Sequence, residues 1–359
     1  MNTLDHILLK EIGKHRTPSV QYLIFNQNDV IYKFQMGFGD LQNRKSVDDY
    51  TTYHVFSITK TFTALAILQL AEHGKLNIDE PIANHLPELP YPGAITIRQL
   101  LTHSGGIPNP MPLRWIHLTT ESETFDSKLF FDQIFARYNK VQSMPNHKFA
   151  YSNLGYVILG RIIEKVSGTS YEKFITNHIL TTLNLQPTEM GFIIPDFGRN
   201  AKGYHNRFSV SYLLLSLLID KTKYMGKAEG QWKVFHDFYV NGISYGGLIG
   251  TPGAFVKYVQ EFLKPASGLL GEEHKKLLFT ENITTAGKST GMCMSWFKGN
   301  LNGLEYFTHA GGGGGYYSEI RVYPGINLGS LIMFNRTGMT DERFLDKVDK
   351  YFLEPTMRK

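Results

Sequence analysis

His54-Val55-Phe56-Ser57-Ile58-Thr59-Lys60-Thr61-Phe62-Thr63-Ala64 is the stretch from which the fold of this chain is read. Ser57-x-x-Lys60 opens an apolar run that predicts a helix, and residues three apart on a helix share one face, about one turn apart. A serine hydroxyl alone is a poor nucleophile. A desolvated lysine beside it can serve as its base once burial has lowered the amine's pKa. A helix start adds free backbone amides that can hold a developing oxyanion, and a dipole that disfavours a nearby cation. The same four positions also describe an ordinary capped helix start, so the pair gains meaning only from two further motifs downstream.

The first of these, Tyr151-Ser152-Asn153, comes after the turn-like Met144-Pro145-Asn146-His147 and precedes an apolar helical pattern from Leu154 to Ile163. A tyrosine at such a corner can project into a cleft, where a lysine ammonium would acidify its phenol and fit it for general base work. Asn153 offers a donor and an acceptor, suited to holding a carbonyl and the lysine together. The alternative is that Ser152 or Asn153 only caps the helix and Tyr151 only packs. Further on, His309-Ala310-Gly311-Gly312-Gly313-Gly314-Gly315 leads into the strand-like Tyr316–Tyr323. Glycines let a substrate lie against a strand edge and leave amides free for an oxyanion. A flexible hairpin turn is the alternative. A phosphate loop is excluded, because the run lacks a Gly-Lys-Ser/Thr and enters a strand rather than a helix.

In this order and spacing the three elements resemble the serine β-lactamase-like and penicillin-binding-protein superfamily, of which Ser-x-x-Lys is a signature. The third motif is usually Lys-Thr-Gly there and becomes His-x-Gly in some branches. The chain is most similar to the branch of class C β-lactamases, D-aminopeptidases, D-alanyl-D-alanine carboxypeptidases and carboxylesterases. Supporting matches are Leu100–Pro108, Gly246–Pro252 and Gly74–Ile82, and the likeness runs from about residue 15 to about 350. It implies Ser57, Lys60 and Tyr151 as catalytic residues, with Asn153, His309, Gly311 and Gly312 binding substrate. The amides of Ser57 and Gly312 would form the oxyanion hole. It implies no cofactor and no metal. The substrate would be a small ester, amide, peptide or lactam, cleaved through an acyl-enzyme. His309 in place of lysine is expected to be only partly charged near neutral pH. That lowers the expectation of β-lactamase or carboxypeptidase activity and raises that of esterase or D-amino-acid peptide and amide hydrolysis. An acylated sensor or a scaffold of the same fold is the non-enzymatic alternative. No counterpart of the deacylating glutamate of class A β-lactamases is visible; Glu164 and Glu172 read as solvated.

Composition agrees with a large globular core. The 359 residues are 42% hydrophobic and 19% charged, with a net charge of +5. Basic residues are scattered rather than banked, which speaks against nucleic acid as a partner. The single cysteine, Cys293, excludes an intrachain disulfide and is expected to be buried. Residues 1–11 carry acids and lysines around short apolar pieces, unlike a signal peptide, so a cytoplasmic location is expected. No apolar window reaches the ~18 residues of a membrane span. His54 and His147 lack a partner at metal-ligand spacing, and the turn around His103 suggests a structural role.

The expected architecture is α+β: one catalytic domain over residues 1–359, with an antiparallel sheet built from both termini, flanked by helices, and an inserted, mainly helical lobe. The sheet lobe would span about 1–58 and 245–359, the helical lobe about 59–244. Tyr22–Phe25 and Val30–Phe34 flank Asn26–Asp29 as a hairpin, and Leu304–His309, Ser318–Tyr323 and Leu328–Phe334 read as strands. Asp341–Phe352 reads as a closing helix. Phe208–Ile219, with Lys221, Lys223 and Lys227 just after it, is too short to span a bilayer. It reads as a buried helix of the insert, or as an apolar wall for an acyl chain. Residues about 108–146 and 190–245 match no motif.

Overall fold

The computed structural model describes residues 3–337 and 343–357. Seven antiparallel strands form its main sheet: β1 (Ser19–Phe25), β2 (Val30–Asp40), β3 (Lys45–Ser46), β4 (Phe297–Leu301), β5 (Leu304–Gly313), β6 (Tyr316–Tyr323) and β7 (Leu328–Phe334). Their order is β4-β5-β6-β7-β1-β2-β3, so the two ends of the chain meet where β1 pairs with β7, Tyr22 opposite Ile332. The expected α+β sheet built from both termini is the observed one.

Residues of β1 alternate between two cores. Tyr22 and Ile24 pack with Leu4, Leu8, Phe344 and Val348. Leu23 and Phe25 join the larger core of Phe62, Phe255, Leu331 and Met333. Covered on both faces, Ser19–Phe25 is buried throughout, and its polar Ser19 and Gln21 are hydrogen-bonded to Asn335 and Tyr53. One face carries α1 (Thr3–Gly13) and α5 (Leu345–Met357). The other carries α2 (Thr59–Glu72) and α4 (Pro252–Leu263). The start of the expected closing helix, including Asp341, lies outside the described residues. A buried ionic cluster ties α5 to the sheet. Arg321, wholly buried, meets Glu319 and Asp346 at 2.8 Å each, and Glu319 also accepts from the amide of Leu345. Removing one partner of such a cluster costs about 3–5 kcal/mol, because the other charge stays buried.

Helix α2 is buried from Thr59 to Leu70, as befits a helix apolar all round. Helix α3 (Asn153–Ser167) packs beside it, capped by Ser152, whose hydroxyl accepts from the Gly155 amide at 3.0 Å, and ended by Gly168 at φ +71°. Cys293 is buried, its thiol 3.2 Å from the Phe279 carbonyl.

Within the mainly helical stretch 59–244, Tyr204–Asn206, Met225–Glu229 and Trp232–Phe235 form a three-stranded sheet. Its hairpin turns at Gly230, whose φ of +61° suits glycine. One expectation needs correction: the leucine run 208–219 is not a buried helix. It forms a helix only over Val210–Leu215, and Phe208, Val210, Leu213, Leu214 and Leu217 are exposed, with Leu215 and Ile219 alone turned fully inward.

Candidate active site

Ser57 lies in a single 3-10 turn, Phe56–Ile58, that feeds α2. Phe56 has φ +46°, an uncommon and strained value for a bulky residue, and its ring contacts His54, Phe238 and Tyr316. Lys60 Nζ donates to Ser57 Oγ at 2.9 Å and to the Tyr245 carbonyl at 2.8 Å. Its ammonium position stands 5.1–5.6 Å from the ring centroids of Tyr151, Tyr156 and Tyr245. Burial in this aromatic surround pushes the Lys60 pKa well below the ordinary lysine value, towards a neutral amine.

Two of the supporting motifs clamp the two corners of the site. Leu248, within Gly246–Pro252, accepts from the Val55 amide at 3.1 Å and donates its own amide to Thr59 Oγ1 at 3.1 Å, bracketing the Ser57 turn. Leu100–Pro108 holds the Tyr151 corner. The His103 carbonyl accepts from the Ala150 amide at 2.7 Å, its Nδ1 accepts from the Ser152 amide at 3.0 Å, and Ser152 Oγ donates to the Pro108 carbonyl at 2.8 Å. His103 therefore positions the corner, and its ring lies 4.2 Å from that of Tyr151, tilted by 31°. Asn153 is buried at the first turn of α3. Its amide and Nδ2 donate to Asn109 Oδ1 at 3.0 and 3.1 Å, while its own Oδ1 has no partner. The acceptor that shares Lys60 with Ser57 is the Tyr245 carbonyl rather than Asn153.

Strand β5 forms the opposite wall. Gly311 crosses the Ser57 turn so closely that a Cβ there would lie 1.9 Å from the Val55 carbonyl oxygen and 2.8 Å from the Ser57 nitrogen. Ser57, Tyr151, His309, Gly311 and Gly312 all border one cleft of about 690 Å³, walled also by Phe149, Phe297, Tyr316 and Tyr317, with Thr337 and Arg343 at its margin. No residue of 208–219 borders it, which removes the reading of that run as an acyl wall.

His309 differs from expectation. It is 1% exposed and its pKa is pushed down to about 3, chiefly by burial and then by Lys60, so it is neutral rather than partly charged. Nδ1 bonds the Ser295 carbonyl, so Nδ1 carries the proton and Nε2 is left as an acceptor. Sequence reading misses Tyr245 and Asn109. Both flank motifs that it does find, but no local pattern pairs a carbonyl at 245 with an amine at 60. Among the described residues no cluster of three or more His, Cys, Asp or Glu could hold a metal ion, and no helix is long and apolar enough to cross a membrane.

The buried histidines set an acid limit on stability. Burial holds His54, stacked 4.7 Å from Phe238, near a pKa of 3, and His103 well below 6.5. The unfolded chain binds these protons near pH 6.5 and the folded chain does not. Stability is therefore fully present above that value and is lost as pH falls below it, by up to about 1.4 kcal/mol per histidine per pH unit. Thermal melts should show the midpoint falling steadily from about pH 7 to about pH 5, with a shallower fall in His54→Phe. A midpoint flat across that range would contradict the assignment.

A seven-stranded antiparallel sheet joining both ends of the chain, with helices on both faces, is the arrangement of the β-lactamase fold. The chain belongs to the β-lactamase family: the family model described as Beta-lactamase matches residues 4–351. It is similar to Protein flp of Staphylococcus aureus (strain NCTC 8325 / PS 47), 28% identical over 341 residues, which cover 92% of this chain and 62% of that protein. The chain thus spans under two thirds of the length of that relative. Among solved structures, the octameric penicillin-binding protein homologue from Pyrococcus abyssi superposes with a TM-score of 0.77 at 25% identity, covering 99% of this chain and 77% of its own. EstCE1, described as a hydrolase with promiscuous acyltransferase activity, superposes with a TM-score of 0.74 at 18% identity over 97% of each chain.

Proposed function

We propose that the protein hydrolyses small, uncharged acyl substrates, carboxylic esters or D-amino-acid amides, through an acyl-enzyme on Ser57. The observation that carries this reading is the 2.9 Å contact between Ser57 Oγ and a desolvated Lys60 at the cleft. Lys60, its basicity lowered by burial, takes the Ser57 proton as Oγ attacks the carbonyl carbon. The amides of Ser57 and Gly312 receive the oxyanion. As the tetrahedral intermediate collapses, the proton passes from Lys60 by way of Tyr151 to the departing oxygen or nitrogen. Water then attacks the acyl-enzyme with the same pair as base, and Ser57 recovers its proton.

Substrate preference rests on the wall of the cleft. A neutral His309 offers no fixed cation, and Phe149, Phe297, Tyr316 and Tyr317 offer apolar surface, which suits an uncharged acyl group. The acyltransferase activity in the description of EstCE1 accords with acyl-enzyme chemistry on this fold. A second reading has one observation in its favour: Arg343 borders the cleft, and a guanidinium there favours a substrate carboxylate, as in a β-lactam or a D-alanyl peptide.

Steady-state turnover of p-nitrophenyl butyrate, D-alanine p-nitroanilide and nitrocefin compares the readings directly. Turnover of the first or second is expected to exceed that of nitrocefin. Nitrocefin as the best substrate, with a KM raised about tenfold or more by Arg343→Gln, would establish the second reading instead. A burst of one equivalent without a steady state would identify an acylated sensor, and no reaction with any of the three would overturn the hydrolase.

A further inference from the structure

The run 208–219 leaves most of its apolar surface in water. Phe208, Val210 and Leu217 are each 72% exposed, Leu213 66% and Leu214 53%. Five large apolar side chains exposed within ten residues form the kind of patch that soluble surfaces rarely carry without a use. The segment is held in place. Ser209 caps its helix by accepting from the Tyr212 amide at 3.1 Å. Arg114 Nε donates to the Leu218 carbonyl at 2.8 Å, and Lys221 Nζ lies 3.8 Å over the Tyr212 ring. Leu215 and Ile219 anchor it from below. The leucines are thus presented outward by a built scaffold, and side chains exposed to this degree stand on a convex surface rather than in a groove.

The rim of the patch is cationic. Arg207 stacks over Phe208 at 4.7 Å, and Arg114, Lys221 and Lys223 stand at the other end of the segment. Two acids beside these cations are themselves engaged. Asp220 caps the next helical turn, and Glu121 pairs with Lys223 at 2.7 Å. Protruding apolar side chains ringed by Arg and Lys match a lipid interface with anionic headgroups. A two-fold contact with a second copy would bring the same cationic rim against itself.

We propose that residues 207–221 dock the protein reversibly on an anionic lipid surface. Phe208, Leu213 and Leu217 enter the boundary between headgroups and acyl chains, and Arg207 and Lys221 meet the lipid phosphates. The docking does not depend on the hydrolase reading, so Ser57→Ala should bind as wild type does.

The test is co-sedimentation of the whole chain with phosphatidylcholine vesicles, with and without phosphatidylglycerol. Three proteins are compared: wild type, the double variant Leu213→Ser/Leu217→Ser, and Arg207→Glu. These side chains are exposed, and unchanged melting temperatures would show that the variants are folded. Wild type should sediment with the mixed vesicles only, and less as salt rises. The double leucine variant should bind about tenfold more weakly or worse, and Arg207→Glu several-fold more weakly. Absence of wild-type binding to the mixed vesicles would overturn the proposal. So would equal binding by the double leucine variant, or binding indifferent to phosphatidylglycerol. If the double leucine substitution instead turns an associating wild type into a monomer in sedimentation velocity, with no vesicle binding, the patch belongs to a second copy.

Discussion

Ser57→Ala should lower the kcat for p-nitrophenyl butyrate about 10⁶-fold while the melting temperature stays near that of wild type. The hydroxyl makes one bond, to Lys60, in a half-buried position, so its loss removes the attacking atom without opening the core. Loss of a nucleophile that acts as a unit with its base typically costs about 10⁶-fold in kcat, with residual catalysis from the oxyanion donors alone. Lys60→Met should be nearly as inactive. Its stability should move the other way. In the folded chain Lys60 is driven towards the neutral amine, whereas the unfolded chain keeps it protonated up to about pH 10.5. The unfolded state therefore binds more protons below that value, and the buried lysine lowers stability at neutral pH. Methionine removes that penalty, so its melting temperature should equal or exceed that of wild type, a trade of stability for function at one position. Tyr151→Phe keeps the ring that packs on His103 and Phe297 but removes the phenol, and should retain a slow turnover. Full activity in Ser57→Ala or in Tyr151→Phe would remove that residue from its assigned role. A marked loss of stability in Lys60→Met would contradict the lowering of the Lys60 pKa by burial.

Gly311→Ala should be the most damaging single-methyl change in the cleft, and Gly312→Ala next to it should be tolerated. At 311 the added carbon meets backbone atoms, the Val55 carbonyl oxygen at 1.9 Å and the Ser57 nitrogen at 2.8 Å. Neither is the mobile tip of a side chain, so either β5 or the nucleophile turn has to move. At 312 the nearest atoms are 3.4 and 3.7 Å away, an ordinary contact. Overpacking against fixed backbone costs a few kcal/mol, and a shift of about 1 Å at the nucleophile alone can cost about 10²-fold in rate. Thermal melts and kcat on the same ester separate the two terms. A Gly311→Ala enzyme with wild-type kcat and melting temperature would show that the crossing is looser than the structure has it.

These glycines also mark the boundary between what sequence reading can reach and what it cannot. Gly311 to Gly315 look alike as letters. Only the packing of the folded chain distinguishes them, Gly311 against a turn more than 250 positions earlier and Gly315 against Gly203. The same holds for Lys60. Its place one helical turn from Ser57 is a local matter of 3.6-residue periodicity and is legible. Its second partner, the carbonyl of Tyr245, and the rings that strip it of water come from distant segments. His309 in isolation has the pKa of a solvated imidazole. Its neutrality comes from burial that no local pattern encodes. The leucine run at 208–219 misleads in the opposite sense, because hydrophobicity says that a segment prefers to leave water and not whether the fold has room for it.

By itself, then, the sequence determined the order of the motifs, the strands at both ends and the pairing of serine with lysine, because these depend on short-range periodicity and on the chemistry of neighbouring residues. The tertiary structure alone decided the lowered pKa of Lys60, the neutrality of His309, the closeness of Gly311 to Ser57 and the exposure of Leu213 and Leu217. Each of these depends on desolvation or contact between segments far apart in the chain, and both are properties of the packed molecule.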